Sequence, residues 1–143
     1  MIRKLGFLFC FVAGAALAHS GVQNPTVKTR MDAMSVIGKN TKVLGTMAKG
    51  EVAFDAPTAQ AAAAAIASHA AQIADVFRDP ATDPKSEALP AIWQSYDDFS
   101  AKADELERAA SDAAQGLATP GDLAPALAAI GGTCKSCHQT YRK

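Results

Sequence analysis

The apolar positions of this chain recur at intervals of three and four residues, which is the period of a helix with one buried face. Asn24 offers an N-cap and Pro25 suits the first helical position, so a first helix is predicted from there to about Lys49, ahead of Gly50. The stripe of this helix comprises Val27, Met31, Met34, Thr41 and Ala48, with Ile37 and Leu44 beside it.

Two more helices are predicted in the middle of the chain. One begins after Asp55, and its stripe comprises Ile66, Ala70, Ile73 and Phe77. Residues 79–90 contain three prolines and are predicted to be the longest connection, but not a domain boundary. The next helix runs from Pro90 to Gly116, and its stripe comprises Ile92, Tyr96, Phe99, Ala103, Leu106 and Ala110. Its charged residues lie largely off that stripe: Asp98, Lys102, Asp104, Glu105 and Arg108.

The last helix is predicted to start at Thr119-Pro120. Its stripe comprises Leu123, Leu127, Ile130, Cys134, Cys137 and Tyr141. Gly131 and Gly132 each weaken a helix by about 1 kcal/mol relative to alanine, either as a tolerated irregularity or as room for a bound group. No alternating run bounded by hairpin turns occurs, so no sheet is expected. The pattern therefore predicts an all-α fold, an antiparallel four-helix bundle.

The N-terminal segment has the composition of an export signal. Two basic residues precede an apolar run, and small residues follow up to Ala18. The run is shorter than the roughly 20 residues that cross a bilayer, so no stable membrane insertion is expected. Removing residues 1–18 of 143 takes Cys10 away and leaves 125 residues, 19–143, as a single domain. We expect this domain to be exported to the periplasm.

Charge and motif content exclude several classes of function. The chain has 14 basic and 14 acidic residues, and the signal carries two basic and no acidic ones, so the exported part has a net charge of −2. That balance disfavours nucleic acid and anionic lipid as partners. No Ser/His/Asp arrangement, phosphate loop or pair of carboxylates at catalytic spacing is found, so an enzyme is not expected.

The two cysteines that remain after cleavage belong to a motif with a known chemistry. In an exported chain such a pair forms a disulfide or binds a metal or cofactor. Cys134, Cys137 and the adjacent His138 form C-x-x-C-H, in which two thiols add to porphyrin vinyl groups and the imidazole binds iron. Residues three and four apart share one face of a helix, so one short segment can fix the ring and ligate it.

Other interpretations of the pair explain less. A thioredoxin-like motif needs a βαβ setting, and a zinc site needs two further ligands, for which only His19 and His69 remain. A structural disulfide leaves His138 unexplained. The chain also has few aromatic residues, with one Trp, two Tyr and six Phe, so a large flat cofactor would fill its core. The sequence predicts one covalent haem c per chain.

With this motif at the end of a four-helix pattern, most of the chain resembles the class II c-type cytochromes, the family of cytochrome c′ and of the low-spin cytochrome c-556 type. The resemblance rests on CKSCHQTYRK at 134–143, RMDAM at 30–34, KVLGTMAKGEVAFDA at 42–56 and LPAIWQSYDDF at 89–99. It implies a left-twisting antiparallel bundle that encloses the haem.

The resemblance also implies roles for five residues. Cys134 and Cys137 match the thioether cysteines, and His138 matches the proximal iron ligand. Arg30 matches the arginine near a haem propionate, and Met34 occupies the distal position. The resemblance also allows a homodimer that forms through the first two helices. The alanine-rich stripe could serve as that interface, or it could equally face the interior of the chain.

Met34 separates two functions within this family. Members of the c-556 type use a methionine as the sixth iron ligand, whereas cytochromes c′ usually leave that face open, some of them despite a methionine there. If Met34 binds, the protein is a low-spin carrier of single electrons between redox partner proteins. If Met34 only fills the core, the open face suits a small gas such as NO or CO. We expect the electron carrier, with gas binding as the alternative.

Overall fold

The computed structural model describes residues 21–143, so the predicted export signal lies outside the described residues. The described chain forms six α-helices: α1 (Pro25–Ala48), α2 (Ala56–Ala70), α3 (Ile73–Val76), α4 (Ala91–Gln94), α5 (Tyr96–Gly116) and α6 (Leu123–Tyr141). Over residues 21–143 no strand forms, and the one β-type contact is an isolated antiparallel bridge between Ala88 and Arg142. The prediction of an all-α fold is therefore confirmed.

The four long helices form the bundle, and each packs on the next along the chain. α2 buries six residues, of which five are alanines: Ala59, Ala62, Ala63, Ala67 and Ala70. Small side chains allow two helix backbones to approach closely, and α5 presents buried alanines of its own: Ala103, Ala110 and Ala113. The core therefore lies mainly between α2 and α5, whereas α1 and α6 pack more loosely on each other.

The first helix matches its predicted limits. The Asn24 side chain accepts hydrogen bonds from the backbone N–H groups of Thr26 and Val27 at 2.9 Å and 3.2 Å, which satisfies two of the free donors at the helix start. At the other end Gly50 has a positive φ of 71°. This left-handed residue ends α1, and its N–H donates to the Met47 carbonyl at 3.0 Å.

Two predicted helices are interrupted. The helix expected to continue past Ala70 is broken by a turn at residues 71–72, and the helix expected from Pro90 is broken at Ser95. Ile66, Ala70, Ile73 and Phe77 are nevertheless all buried, as the pattern predicts. Side chains satisfy the carbonyls beyond the first break: Tyr96 donates to Ala74, Arg30 to Val76 and Trp93 to Phe77. These donors replace the bonds that a continuous helix would make.

The last helix starts three residues later than predicted. A 3-10 turn occupies Pro120–Asp122, and α6 follows from Leu123. The Asp122 carboxylate accepts hydrogen bonds from the Thr119 backbone N–H at 2.7 Å and from the Thr119 hydroxyl at 2.9 Å, which fixes this turn. α6 then runs through Gly131 and Gly132 without a break. No helix between residues 21 and 143 is long and apolar enough to span a bilayer.

Two glycines in different backbone conformations give a first prediction. A side chain at Gly50 would have to adopt a left-handed conformation, so Gly50→Ala is expected to lower the free energy of unfolding by about 1 kcal/mol. Gly132 is exposed and helical, with nothing within 4 Å of the position that a Cβ would take, so Gly132→Ala is expected to raise it by about 1 kcal/mol. Urea denaturation followed by circular dichroism measures the free energy of unfolding of both variants. A change of the same sign and size in the two variants would contradict the difference in backbone conformation between Gly50 and Gly132.

Candidate functional site

A cavity of about 660 Å³ lies between α1 and α6. Its remaining walls come from Ile73 and Phe77, from the segment at residues 85–88 and from the inner face of α5. The volume falls within the range of roughly 300–1,000 Å³ that is usual for ligand pockets. The loose packing between the first and last helices is therefore the space in which a bound group fits.

The cysteines of the motif line this cavity. Cys134 and Cys137 are both half-buried on the inner face of α6. Burial raises the pKa of each thiol, and the nearby Lys102 ammonium partly opposes this at Cys137. Two cysteine side chains facing a cavity of this size are the donor set that covalent attachment of a porphyrin requires.

His138 lines the cavity one residue after the second cysteine. Burial lowers the pKa of its imidazole, the positive charge of Arg142 lowers it further, and Glu87 opposes both. At neutral pH the imidazole is therefore uncharged, which is the form that binds a metal. The three residues of the motif thus line the cavity together, as a covalently bound haem would require.

The opposite wall is formed by α1. Met34 and Met31 are both partly buried and line the cavity, together with Thr41. Of the two residues predicted beside this stripe, Leu44 is buried in the core away from the cavity, whereas Ile37 is buried in the core and also lines the cavity with the two methionines. Methionine residues of α1 and His138 of α6 consequently line the same cavity.

Arg30 is buried, with 2% of its surface exposed. Its Nε donates to the Val76 carbonyl at 3.0 Å, its Nη1 to the Ala81 carbonyl at 2.9 Å and its Nη2 to the Asp79 carbonyl. The guanidinium also lies over the rings of Phe77 and Trp93, at 5.0 Å and 5.3 Å from their centroids. Burial lowers the pKa of Arg30, and the negative charge of Asp79 opposes this change. The guanidinium nevertheless remains charged at any ordinary pH.

Arg30 thus fixes the chain just beyond α3 to the first helix. It also lines the cavity, and three of its five N–H groups are used on the backbone carbonyls. Two N–H groups remain for a negatively charged group in the cavity.

A short clasp closes the end of the cavity next to the motif. The Leu89 N–H donates to the Tyr141 carbonyl at 3.0 Å, and the Lys143 N–H donates to the Glu87 carbonyl at 2.9 Å. The Arg142 side chain adds an ion pair, with its Nε 2.6 Å from a Glu87 carboxylate oxygen. The long connection is therefore attached to the end of α6.

Lys102 belongs to the site, and Asp98 is bonded to a residue that lines it, although the sequence pattern placed both largely off the buried stripe. Lys102 lines the cavity with only 21% of its side chain exposed, and its Nζ lies 3.1 Å from the Ser136 hydroxyl within the motif. The Tyr141 hydroxyl donates to the Asp98 carboxylate at 2.6 Å. The signal was the spacing, because Lys102 lies three residues after Phe99 and so borders the stripe.

A helical bundle with a C-x-x-C-H motif facing an internal cavity defines a haem c protein. Comparison with known sequences gives the family, because the family model of Cytochrome C' matches residues 25–142. The chain therefore belongs to the cytochrome c' family, the class II c-type cytochromes, which confirms the resemblance found in the sequence. Members of this family bind haem c covalently, so the expected cofactor is also confirmed.

Individual relatives represent both branches of the family. The chain is 37% identical to cytochrome c-556 of Agrobacterium fabrum, over 93% of this chain and 88% of that protein. It is 38% identical to cytochrome c' of Pararhodospirillum photometricum, over 82% of this chain and 95% of that one. The structure of cytochrome c' from Rhodopseudomonas palustris superposes with a TM-score of 0.78 at 30% identity, covering 85% of this chain and 98% of that chain. The four-helix bundle is thus confirmed.

The family also limits the general function. Its members are haem proteins of the periplasm, and they are generally not classified as enzymes. The partners that the family suggests are redox proteins or small gases.

The buried guanidinium gives a prediction for stability. Arg30→Met removes the donors to three carbonyls, and each unsatisfied carbonyl costs about 1 kcal/mol or more, so we expect a loss of about 3 kcal/mol in the free energy of unfolding. Arg108→Met, which removes an exposed arginine of α5, is the matched control and should change stability little. Urea denaturation of the haem-loaded variants measures the difference, and equal losses would contradict the role of Arg30.

The hydrogen bond between Tyr141 and Asp98 gives a prediction for alkaline pH. This bond, then burial, raises the pKa of Tyr141 to about 12 from its ordinary value of 10.0. Because the folded pKa is the higher one, the stabilisation is complete below pH 10 and is lost as the pH rises toward about 12. Tyr141→Phe should therefore lose less stability than the unmodified protein between about pH 9 and about pH 11. Urea denaturation at each pH measures the free energy of unfolding of both proteins. Equal losses in the two proteins over this range would contradict the prediction.

Proposed function

We propose that this protein carries single electrons in the periplasm, through one haem c whose iron is ligated by His138 and Met34. Cys134 and Cys137 would form the two thioether bonds. The observation that supports this proposal is that Met34 and His138 line one cavity from opposite helices, α1 and α6. Two axial ligands must approach iron from opposite faces of the ring.

The residues of the chain favour electron transfer over other haem chemistry. When bound, the haem supplies a one-electron couple between ferric and ferrous iron. A methionine thioether favours the ferrous state and so raises the reduction potential. Because His138 and Met34 would occupy both axial positions in either oxidation state, the protein around the iron has little to rearrange.

Arg30 would bind a haem propionate in this arrangement. Its two N–H groups that are not used on backbone carbonyls are the donors for such a carboxylate. A charged guanidinium fixed by three carbonyls loses little side-chain freedom when it binds. This contact would be both oriented and charge-assisted.

Export and assembly complete the proposal. Residues 1–18 would be removed after Ala18, leaving 19–143 as one domain in the periplasm. A homodimer through α1 and α2 stays a prediction. Five alanines of α2 are buried within the chain, so that part of the alanine-rich stripe packs inward and is not available to a second copy.

Binding of NO or CO by a five-coordinate iron is the alternative function. The sequence comparison favours it, because the identity to a cytochrome c' is 38% and the identity to a cytochrome c-556 is nearly the same, 37%. Without a bond from Met34, the α1 side of the iron would be an apolar pocket, which suits a small neutral gas.

Carbon monoxide separates the two functions. We expect the ferrous protein to resist CO and to give a low-spin spectrum, because Met34 occupies the sixth position. Met34→Ala should bind CO readily, become high-spin and show a lower reduction potential. Met31→Ala is the matched control, since Met31 lines the same cavity one turn earlier and should leave the spectrum low-spin. Ready binding of CO by the unmodified protein would contradict ligation by Met34 and support the alternative.

A further inference from the structure

One charged side chain of α5 lines the cavity, and it is a cation. Over Tyr96–Gly116 the helix carries six acidic and two basic residues. Of these charged residues only Lys102 lines the cavity, and the other basic residue, Arg108, is exposed. The helix with the most carboxylates therefore contributes a positive charge, and no negative one, to the wall of the candidate haem site.

The Lys102 ammonium is fixed against the C-x-x-C-H motif. Its Nζ donates to the Ser136 hydroxyl at 3.1 Å, and 21% of the Lys102 side chain is exposed. Ser136 lies between Cys134 and Cys137 in the sequence, and both cysteines line the cavity. The charge is consequently held beside the stretch of α6 to which the porphyrin would be joined, and it is partly shielded from water.

The charge of Lys102 is only partly neutralised. Within residues 21–143 the one carboxylate at ion-pair distance is that of Asp98, whose oxygen lies 4.0 Å from the Lys102 Nζ. That carboxylate accepts a hydrogen bond from the Tyr141 hydroxyl at 2.6 Å. The Asp98 side chain is also 59% exposed, so water weakens its attraction for the ammonium. Lys102 thus keeps an excess of positive charge toward the cavity.

We propose that Lys102 is a positioning residue for charge, which raises the reduction potential of the haem by holding an ammonium beside the motif. This inference rests on the proposed function as an electron carrier, and it adds a residue that sets the driving force for that function. The redox step itself is the uptake of one electron from a donor protein. The donor is oxidised as ferric iron is reduced to ferrous iron, and no proton needs to move.

Elementary electrostatics gives the direction of the effect. A ferric haem carries one more positive charge than a ferrous haem, so a fixed cation nearby repels the ferric form more strongly. The repulsion is larger for a partly buried charge than for one in water, because the effective dielectric constant is lower and salt screens it less. Lys102 therefore favours the reduced protein.

A purely structural role for Lys102 makes a different prediction. Asp98 and Lys102 are four residues apart on α5, and such a pair adds a little to the stability of a helix. If that were its whole role, removing the ammonium would change the free energy of unfolding slightly and leave the reduction potential unchanged. The potential is therefore the measurement that separates the two roles.

Replacement of the ammonium in the haem-loaded protein tests the proposal. Lys102→Met keeps most of the length of the side chain and removes its charge. We expect the equilibrium constant for reduction to fall by about tenfold, which lowers the potential by about 59 mV for a one-electron couple. Lys102→Arg keeps the charge and should stay within about twofold of the unmodified protein. An unchanged potential in Lys102→Met would overturn the proposal.

Lys135→Met is the matched control, because it removes an exposed ammonium from the residue next to Ser136. At physiological ionic strength its charge is screened, so the equilibrium constant for reduction should change by less than about twofold. A fall as large as that of Lys102→Met would show that any charge near the motif acts alike, and would overturn the proposal.

Asp98→Asn tests the same interaction with the opposite sign. It removes the negative charge that opposes Lys102 and keeps an oxygen that can accept from Tyr141. The equilibrium constant for reduction should rise by about twofold. This variant also keeps the proposal testable if Lys102→Met fails to bind haem, since an unchanged or lower potential in Asp98→Asn would overturn it.

Absorption spectra recorded with each potential separate this inference from the proposed function. We expect all four variants to remain low-spin with one haem per chain, because none of them alters His138 or Met34. A high-spin spectrum of the unmodified protein would contradict ligation by Met34, but the shift in Lys102→Met would still be expected, since the repulsion needs no sixth ligand. A low-spin spectrum without that shift would overturn the role of Lys102 alone.

Discussion

The bundle depends on a constraint that works against close packing: its first and last helices must stay apart. The segment after α3 satisfies this constraint, because it is attached to both. Arg30 binds the carbonyls of Val76, Asp79 and Ala81 to α1, and the clasp joins residues 87–89 to the end of α6. Both walls are therefore attached to the same segment, and the cavity lies between them.

Arg30 has a structural role in addition to the haem contact that is proposed for it. An isolated charge in an apolar cavity is strongly unfavourable, and three carbonyls with two aromatic faces offset that cost. The same bonds orient its remaining N–H groups. The sequence predicts a contact between Arg30 and a haem propionate, and the structure adds the attachment of Arg30 to the long connection.

The sequence predicts the four long helices because each has one buried face, and it predicts the haem because the motif is compact and specific. The breaks at residues 71–72 and at Ser95 were not predicted. They depend on donors such as Trp93, which comes from a different part of the chain and satisfies the Phe77 carbonyl. Lys102 was misplaced for a similar reason: periodicity identifies apolar faces, but not a long basic side chain that reaches the Ser136 hydroxyl.

The attachments of α6 have a consequence for its motion. The helix is held at its start by the turn of Thr119 and Asp122 and at its end by the clasp. Between these points, Gly131 and Gly132 are exposed and have no side chains to interlock with neighbours. Bowing of the middle of α6, rather than swinging of either end, is then the deformation that widens the cleft at least cost. Exchange of water or a small molecule with the interior would follow the stiffness of this one helix.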